Sequence, residues 1–386
     1  MTATMMASVL MTIYIFFSAI WPLRLRWWAK AALTLVLAMA AGKFHLLHLF
    51  GGPLYFAPDL PGWLLLLSAW AFATVLFFFT LLLMTDAGRW IYRLVLKISG
   101  RKFPVERFRR INARFNLGVL AVAAVVAAVG AAAGTALPEI REVDIVLPGL
   151  PPEAAGFRIA VLSDLHIDNL IRSGRVEAIV KRVNAAEPDL IVITGDIVDG
   201  EIERRSRDTA PLANLHARFG VFGVPGNHDC FSGFDEWMTR FRELGITMLL
   251  NEHRAIPETG LVVGGVTDPA ARRYGGAAPD PAAAFEGVPD GVVKILLAHR
   301  PNQLPEAAQA GVALQISGHT HGGMVIGLDR LVGAFNGGLV SGLYRRDGTV
   351  LYITNGSGMW SGFPIRIGVP AEITLIRLLP ETAERS

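Results

Sequence analysis

The sequence predicts an α/β layered domain preceded by an all-α membrane region of about four helices, and three observations support this class. Charge-free apolar runs are concentrated before Leu137, although the whole chain is 52% hydrophobic and only 18% charged. From Phe157 onward, short apolar runs alternate with helical patterns. Polar or glycine-rich clusters follow these runs, as expected of α/β sheets, which bind ligands at strand ends. We therefore divide the chain into a helical region (1–137), a linker (138–156) and a second domain (157–380).

Four apolar spans are predicted in the helical region, at about 5–21, 31–50, 62–85 and 115–137. About 20 helical residues cross a hydrocarbon core of roughly 30 Å, and the third and fourth spans reach that length without a charge. The first span has no basic residue before its apolar stretch. We therefore interpret it as a retained membrane helix and not as a cleaved signal peptide.

Basic residues predict the orientation of these spans, because cytoplasmic loops are enriched in Lys and Arg. They follow span one and separate spans three and four, and include Arg24, Arg26, Lys30, Arg89, Arg93, Lys97, Arg101 and Lys102. Both loops are then cytoplasmic, and everything after Leu137 lies on the far side. We expect a multi-pass protein of a bacterial-type inner membrane with a periplasmic or extracellular second domain. Since this loop charge explains much of the pI of about 9.1, no nucleic-acid partner is expected, whereas membrane lipids are.

In the second domain the expected strands and helices alternate. Buried strands are predicted at Arg158–Leu162, Leu190–Thr194, Gly220–Val224, Leu261–Val266, Val292–Ala298 and Ala313–Ile316. Helices are predicted at Arg172–Ala186, Phe234–Leu244 and Gln303–Ala310. After Gly322 the strand signals continue without helices, at Tyr344, Thr349–Thr354 and Glu372–Leu378, which suggests a second sheet packed on the first. The linker holds one short strand candidate, Val143–Leu147.

Five polar clusters lie in order along this domain. They are Asp164-Leu165-His166, Gly195-Asp196 with Asp199, Gly226-Asn227-His228-Asp229, Ala298-His299 and Gly318-His319-Thr320-His321. Asp, His and Asn offer the oxygen and imidazole ligands that divalent metals take in proteins. Residues two apart after a strand, such as Asp164 and His166, can turn toward the same point. The ordered set therefore predicts a two-metal hydrolase site.

With these clusters in this order, the chain resembles the calcineurin-like metallophosphoesterase superfamily from roughly Phe157 to Leu378. Thr354-Asn355-Gly356 and the stretch 363–374 resemble the membrane-associated branch related to UDP-2,3-diacylglucosamine hydrolases. The resemblance implies a four-layer α/β/β/α sandwich with two mixed sheets. It also implies phosphoester hydrolysis by a binuclear metal centre. Where this branch often has Gly-Gly-Gln after the last His motif, the chain has Gly322-Gly323-Met324, so substrate contacts near Met324 are expected to differ.

The resemblance also implies a ligand set for two divalent ions. One ion takes Asp164, His166, Asp196 and His321, and the other takes Asp196, Asn227, His299 and His319, with Asp196 as the bridge. Mn, Fe, Zn and Mg all accept such mixed ligands, so the identity of the metal stays open.

Residues beside the ligands are assigned further roles by the same resemblance. His228 matches the family histidine that protonates the leaving group or binds a phosphoryl oxygen. Asp199 matches the aspartate that orients it, with a turn residue as the alternative. Asp229 and Asp168 are either acceptors for ligating imidazoles or turn residues. Cys230, the only cysteine, is expected to be a packed thiol and not a ligand.

The expected function is a membrane-anchored phosphoesterase that hydrolyses a phosphodiester or pyrophosphate bond. Four helices exceed what an anchor needs, which favours a lipid-linked substrate such as UDP-2,3-diacylglucosamine of the lipid A pathway. A soluble phosphodiester or phosphoprotein is the alternative within the same chemistry. A membrane sensor that only binds phosphate or metal is the alternative from another class. The sequence leaves the oligomeric state open.

Overall fold

The structure is a computed structural model that describes residues 2–51, 58–101 and 105–381. The chain divides into two compact units. Met1–Ala133 and Gly362–Ile365 form the helical unit, whereas Gly134–Ser361 and Arg366–Ser386 form the second unit.

The helical unit contains five α-helices among its described residues. They are α1 (Thr2–Ile15), which continues as a π-helical turn at Phe16–Ile20, α2 (Trp27–Ala41), α3 (Lys43–Gly51), α4 (Gly62–Ile98) and α5 (Val105–Gly134). Among the described residues of the helical unit, α4 and the 111–134 portion of α5 are long and apolar enough to span a bilayer. The pair α2 and α3 would make a third span, but it is bent by 74°.

The prediction of four spans is therefore not confirmed. The expected span 5–21 falls on α1 and its π-helical turn, where the apolar helix Thr4–Ile20 is shorter than the two helices that qualify as spans. The expected span 31–50 is divided at Gly42, whose backbone leaves the helical region at φ −87° and ψ 15°. Such a break explains the bend between α2 and α3.

A polar network ties α1, α4 and α5 together inside the helical unit. The Tyr14 hydroxyl donates to Asp86 Oδ2 at 2.9 Å, and Arg89 donates to Asp86 Oδ1 at 2.6 Å. Arg89 also donates to Asn116 Oδ1 at 2.6 Å, and Asn116 donates to the Ser18 carbonyl at 3.2 Å. Charged and amide groups between apolar helices are stable only when partnered in this way.

The second unit is built on two six-stranded mixed sheets. The first sheet has the order β1-β12-β2-β3-β4-β5 and the second has the order β10-β11-β9-β8-β7-β6. The strands are β1 (Glu139–Leu147), β2 (Arg158–Leu162), β3 (Leu190–Ile193), β4 (Val221–Gly223), β5 (Ile246–Met248), β6 (Glu252–Ile256), β7 (Leu261–Gly265), β8 (Val293–Leu297), β9 (Leu314–Ser317), β10 (Gly342–Arg346), β11 (Thr349–Ile353) and β12 (Glu372–Pro380). The helices are α6 (Ser173–Asn184), α7 (Ile202–Thr209), α8 (Asn227–Phe231), α9 (Phe234–Glu243), α10 (Pro281–Ala284), α11 (Leu304–Gln309) and α12 (Asp329–Phe335).

One apolar core joins the two sheets. It contains alternate residues of the first sheet, such as Ile159 and Val161, together with residues of the second, such as Ile295 and Leu297. Side chains at every second strand position share a face, so each sheet contributes one face to this core. Two mixed sheets packed in this way confirm the α/β class, whereas the four-layer arrangement stays a prediction.

Three assignments made from the sequence differ from the structure. Glu372–Leu378 was expected in the second sheet, but β12 inserts between β1 and β2 of the first sheet. The stretch after Gly322 was expected to lack helices, but it contains α12. Nine residues of the expected linker form β1, which pairs in parallel with β12 at the edge of the first sheet. The apolar pattern of a strand does not predict which strands pair with it, because pairing depends on backbone hydrogen bonds between distant segments.

Candidate metal centre

The polar clusters follow the carboxyl ends of neighbouring parallel strands. In the first sheet, Leu162 of β2 pairs with Ile193 of β3, and Ile193 pairs with Gly223 of β4. In the second sheet, Leu297 of β8 pairs with Ile316 of β9. Strands in register end at the same edge of their sheet, so the clusters that follow them converge.

The backbone is strained at five positions of these clusters. Asp164, His166, Asp196, His319 and His321 all have positive φ, between 47° and 71°. A residue other than Gly in this region costs about 1–3 kcal/mol and persists only where the surroundings hold it. The strained turns direct carboxylates and imidazoles toward one point. Backbone strain of this kind is common at functional sites.

Asp164, His166 and His321 form the first group of converging side chains. Each offers one ligand atom within 4.8 Å of the others. His166 Nε2 lies 3.1 Å from His321 Nε2, which in turn lies 3.5 Å from Asp164 Oδ1. All three side chains are buried. Two ring nitrogens that face each other at this distance, beside a carboxylate, suit a shared cation.

Asp196, His299 and His319 form the second group. His299 Nε2 lies 3.2 Å from Asp196 Oδ2 and 3.1 Å from His319 Nδ1. Asp196 Oδ2 is also 3.8 Å from His166 Nε2, so this carboxylate lies between the two groups. Its other oxygen accepts the backbone N–H of His228 at 2.8 Å, beside Asn227.

His228 and His166 share the carboxylate of Asp199. His228 Nδ1 lies 2.6 Å from Asp199 Oδ1, and His166 Nδ1 lies 3.1 Å from Asp199 Oδ2. One buried carboxylate therefore orients an imidazole of the first group and the adjacent His228. All nine residues expected at the site from the sequence lie together in the structure.

The imidazoles of the centre are of two kinds, because the pKa values of some are raised and those of others are lowered. Burial disfavours protonation of His299 and His166, but neighbouring carboxylates raise their pKa values to about 10 and about 9. Burial and neighbouring cations lower the pKa of His319 to about 3. Burial alone would raise the pKa of Asp199, but His228 and His166 lower it to about 2. The carboxylates thus stabilise positive charge on His166 and His299, and bound cations would take the place of the protons on these rings.

Asp229, Asp168 and Cys230 have structural positions in the turns around the centre. Asp229 accepts the backbone N–H groups of Gly226, Ile197 and Val198 at 2.8–3.0 Å. Asp168 accepts those of two residues in its own turn, Leu170 and Ile171. Both carboxylates thus stabilise turns. Cys230 is buried, and burial raises the pKa of its thiol, so it is a packed thiol.

Arg300 and Asp268 were missed in the sequence. Arg300 Nε donates to the buried carboxylate of Asp268 at 2.7 Å, and Nη2 reaches Asn227 Oδ1 at 3.3 Å. This pair positions the amide of Asn227. A signal was present, because Asp268 follows the end of β7 and Arg300 follows His299.

The donor set fits a pair of divalent cations. It combines carboxylate oxygens, imidazole nitrogens and one amide oxygen, which borderline-hard metals accept. His321 Nδ1 is buried and has no hydrogen-bond partner among the described residues, although a second ring nitrogen usually finds one. The ring is thus held by packing, with Nε2 directed toward the first group.

Because Gly226 has no side chain, the Asp196 carboxylate can occupy the space beside it. A Cβ at Gly226 would overlap Asp196 Oδ1 and lie 2.8 Å from Asp196 Cγ. The backbone of Gly226 is extended, with φ −100° and ψ −177°, so the requirement for glycine is steric. The close approach of this turn holds Asp196 between the two groups.

We expect Gly226→Ala to displace the Asp196 carboxylate and so to lower the content of bound metal. Overpacking of this kind also costs about 1–3 kcal/mol of stability. Gly174→Ala is the matched control, because a Cβ there meets nothing within 4 Å. Metal analysis and apparent unfolding temperature of both purified variants test this. Unchanged metal content in Gly226→Ala would contradict the steric argument.

Comparisons with known proteins agree with the position of these clusters. A family model described as Calcineurin-like phosphoesterase matches residues 157–323. The chain is 32% identical over 329 residues to a Danio rerio protein named "Transmembrane protein with metallophosphoesterase domain", covering 82% of this chain and 74% of that protein.

Two further similarities cover less of the molecule. An uncharacterised metallophosphoesterase of Helicobacter pylori is 36% identical over 250 residues, or 64% of this chain and 66% of that protein. The crystal structure of a dimetal phosphatase from Danio rerio aligns with a TM-score of 0.35 at 11% identity, covering 53% of this chain and 88% of that chain.

Proposed function

Because the chain belongs to the calcineurin-like phosphoesterase family, we propose that it is a membrane-anchored hydrolase of a phosphodiester or pyrophosphate bond. Members of this family use a binuclear divalent-metal centre. The observation that carries the proposal is the convergence of six carboxylate and imidazole donors beside the pair of His228 and Asp199.

The ligand roles follow the two groups of side chains. Asp164, His166 and His321 would hold one cation together with Asp196. The other cation would be held by Asp196, His299, His319 and the amide oxygen of Asn227. Asp196 would belong to both sets, since its Oδ2 lies near imidazoles of both groups. Divalent cations in such a site lower the pKa of water and neutralise charge on phosphoryl oxygens.

His228 would donate the proton that the leaving oxygen takes up as its bond to phosphorus breaks. Asp199 accepts from Nδ1 at 2.6 Å, which leaves Nε2 as the ring nitrogen for proton exchange. Burial opposes protonation of His228, but Asp199 and Asp196 raise its pKa above the ordinary value, which favours the protonated ring that donation requires. Arg300 would keep the Asn227 amide in place while remaining bonded to Asp268.

We further propose a substrate that is linked to a lipid, such as a UDP-2,3-diacylglucosamine-type pyrophosphate of the lipid A pathway. Two or three apolar helices exceed the single span that anchoring requires. Gly322, the residue after His321, is one of the residues that line a cavity of about 1120 Å³. That volume slightly exceeds the usual range of ligand pockets, about 300–1,000 Å³, and far exceeds that of one phosphoryl group. The cavity supports a substrate with a bulky portion beside its phosphate.

Hydrolysis by the purified full-length protein in nanodiscs tests this function. We expect metal-dependent cleavage that a chelator abolishes and Mn²⁺ restores. We also expect kcat/KM for a lipid-linked pyrophosphate to exceed that for a soluble diester by at least tenfold, or about 1.4 kcal/mol. Mass spectrometry of head groups released from a lipid extract would identify natural substrates.

Two other outcomes of that experiment would count against the proposal. Equal turnover of the soluble diester and the lipid-linked substrate would favour a soluble natural substrate. Full metal loading without hydrolysis of any substrate would favour a sensor.

The second unit, which holds the candidate metal centre, is proposed to face the periplasm or the exterior. The basis is the Lys and Arg residues in the two loops expected to be cytoplasmic. We expect a cysteine at position 258, where the Glu258 side chain is 79% exposed, to react in intact cells with an impermeant maleimide. A cysteine replacing Arg101, in the basic loop, should react only after permeabilisation. The unmodified chain is the background control, because its one thiol is buried. The reversed pattern would place the second unit in the cytoplasm.

A further inference from the structure

An apolar surface stands exposed on the second unit, around α12. Phe335 is 82% exposed, Ile326 is 71% exposed and Leu331 is 58% exposed. Leu331 and Phe335 are four residues apart in α12, so they lie on one face of the helix. Large apolar side chains that are grouped on a surface commonly mark an interaction site. We call the exposed face of Leu331 and Phe335, together with Ile326 in the segment before the helix, the α12 surface.

The opposite face of α12 is fixed against the protein. Gly333 is buried, and a Cβ there would lie 3.1 Å from the side chain of Val340 and 3.8 Å from the backbone of Gly338. Asp329 Oδ1 accepts the N–H of Gly327 at 2.6 Å, which stabilises the turn that leads into the helix. The helix is thus anchored on one side and presents Leu331 and Phe335 on the other.

The 1120 Å³ cavity places α12 near the start of β1. Glu139 and Ile140 of β1 line it together with Ile326, Arg330 and Ala334. Within the second unit, the α12 region and the first residues of β1 are therefore walls of the same cavity.

The chain enters β1 almost directly from a membrane span. Only residues 135–138 separate α5, which ends at Gly134, from β1. At about 3.5 Å per residue, such a stretch bridges less than about 20 Å. The stretch is also held to α6, because Arg175 donates to the Ala136 carbonyl at 2.5 Å and Arg182 to the Pro138 carbonyl at 2.7 Å. The length of the chain therefore keeps the start of β1 within that distance of the end of α5.

We propose that the α12 surface docks on a lipid bilayer, with Ile326, Leu331 and Phe335 at the boundary between headgroups and acyl chains. The short tether favours this occupant over another protein, because the bilayer is present in every state of the chain. The charges of Asp329 and Arg330 on α12 offset each other, so the contact is apolar and insensitive to salt. The proposal goes beyond the proposed function, since docking does not require hydrolysis.

Fluorescence of a label at position 335 tests the docking. The full-length Phe335→Cys protein can be labelled selectively with an environment-sensitive fluorophore, because Cys230 is buried. In nanodiscs of phosphatidylcholine with a minority of phosphatidylglycerol, we expect a blue-shifted emission. Acyl-chain spin-labelled lipid should quench the emission to the same extent at low and high salt. Glu258→Cys, labelled in the same way, is the matched control and should show neither effect.

Three outcomes would overturn the proposal. The first is equal quenching at positions 335 and 258. The second is a blue shift at 335 without quenching by lipid, which would indicate a protein cover such as a second copy of the chain. The third is quenching that disappears at high salt.

A second variant separates docking from folding. Leu331→Asp in the Phe335→Cys background should reduce quenching by lipid while metal content stays at the wild-type level. Undiminished quenching in that variant would also refute the proposal. Failure of the proposed hydrolysis would leave all of these expectations unchanged.

Discussion

Replacing Asp196 with Asn is expected to abolish hydrolysis and to lower bound metal from about two ions per chain to at most one. The carboxylate lies between both groups of imidazoles, at 3.2 Å from His299 and 3.8 Å from His166. Asn keeps the shape but removes the charge and one acceptor oxygen. Stabilisation of phosphoryl charge by metals amounts to several kcal/mol, so kcat/KM should fall by about 10³-fold or more.

Metal analysis and kinetics on the same preparation decide this prediction. Glu258→Gln is the matched control, since it also neutralises an acid but at a side chain that is 79% exposed. Its metal content and turnover should equal those of the wild type. An Asp196→Asn protein that keeps two ions and normal turnover would rule out the bridging role and, with it, the proposed mechanism.

Replacing His228 with Gln is expected to lower kcat by about 10²–10⁴-fold while both metals remain bound. The loss should depend on the leaving group, because only a poor leaving group needs its oxygen protonated. A p-nitrophenyl diester should therefore be affected little, and an alkyl diester strongly. Asp199→Asn should show the same dependence, because Asp199 holds His228 Nδ1 at 2.6 Å.

This pattern distinguishes a proton donor from a metal ligand. His228 also offers a ring nitrogen close to His166 and Asp196, so ligation would appear as lost metal. His216→Gln, at an exposed histidine of the same unit, is the control and should match the wild type. An equal loss of kcat for both leaving groups, together with lost metal, would assign His228 to the ligand set.

Much of the second unit could be predicted from the sequence because its strands are buried and short. Arg158–Leu162 was expected as a strand and is β2 with the same bounds. Leu190–Thr194 differs from β3 by one residue. Such runs of β-branched and aliphatic residues are bounded by polar clusters, and both signals are local in sequence. The nine candidate site residues were selected for the same reason, since each lies in one of these clusters, and their roles stay a prediction.

Other features of the site were not predictable from local patterns. Arg300 and Asp268 are 32 residues apart and meet only through the pairing of β7 with β8. The overlap between Gly226 and Asp196 depends on two turns that follow different strands. No helix was predicted at α12. Its large apolar residues Leu331 and Phe335 are exposed, so the helix lacks the buried apolar face that an amphipathic pattern indicates.

By itself, the sequence determined the class of the fold, the order of the candidate metal-binding clusters and the presence of long apolar helices. Each of these depends on the spacing of residues along the chain. Only the tertiary structure decided that β12 returns to the first sheet, that Asp199 serves two imidazoles and that the α12 region shares a cavity with β1. These features arise from contacts between residues far apart in the chain, and such contacts leave no periodic signal in the sequence.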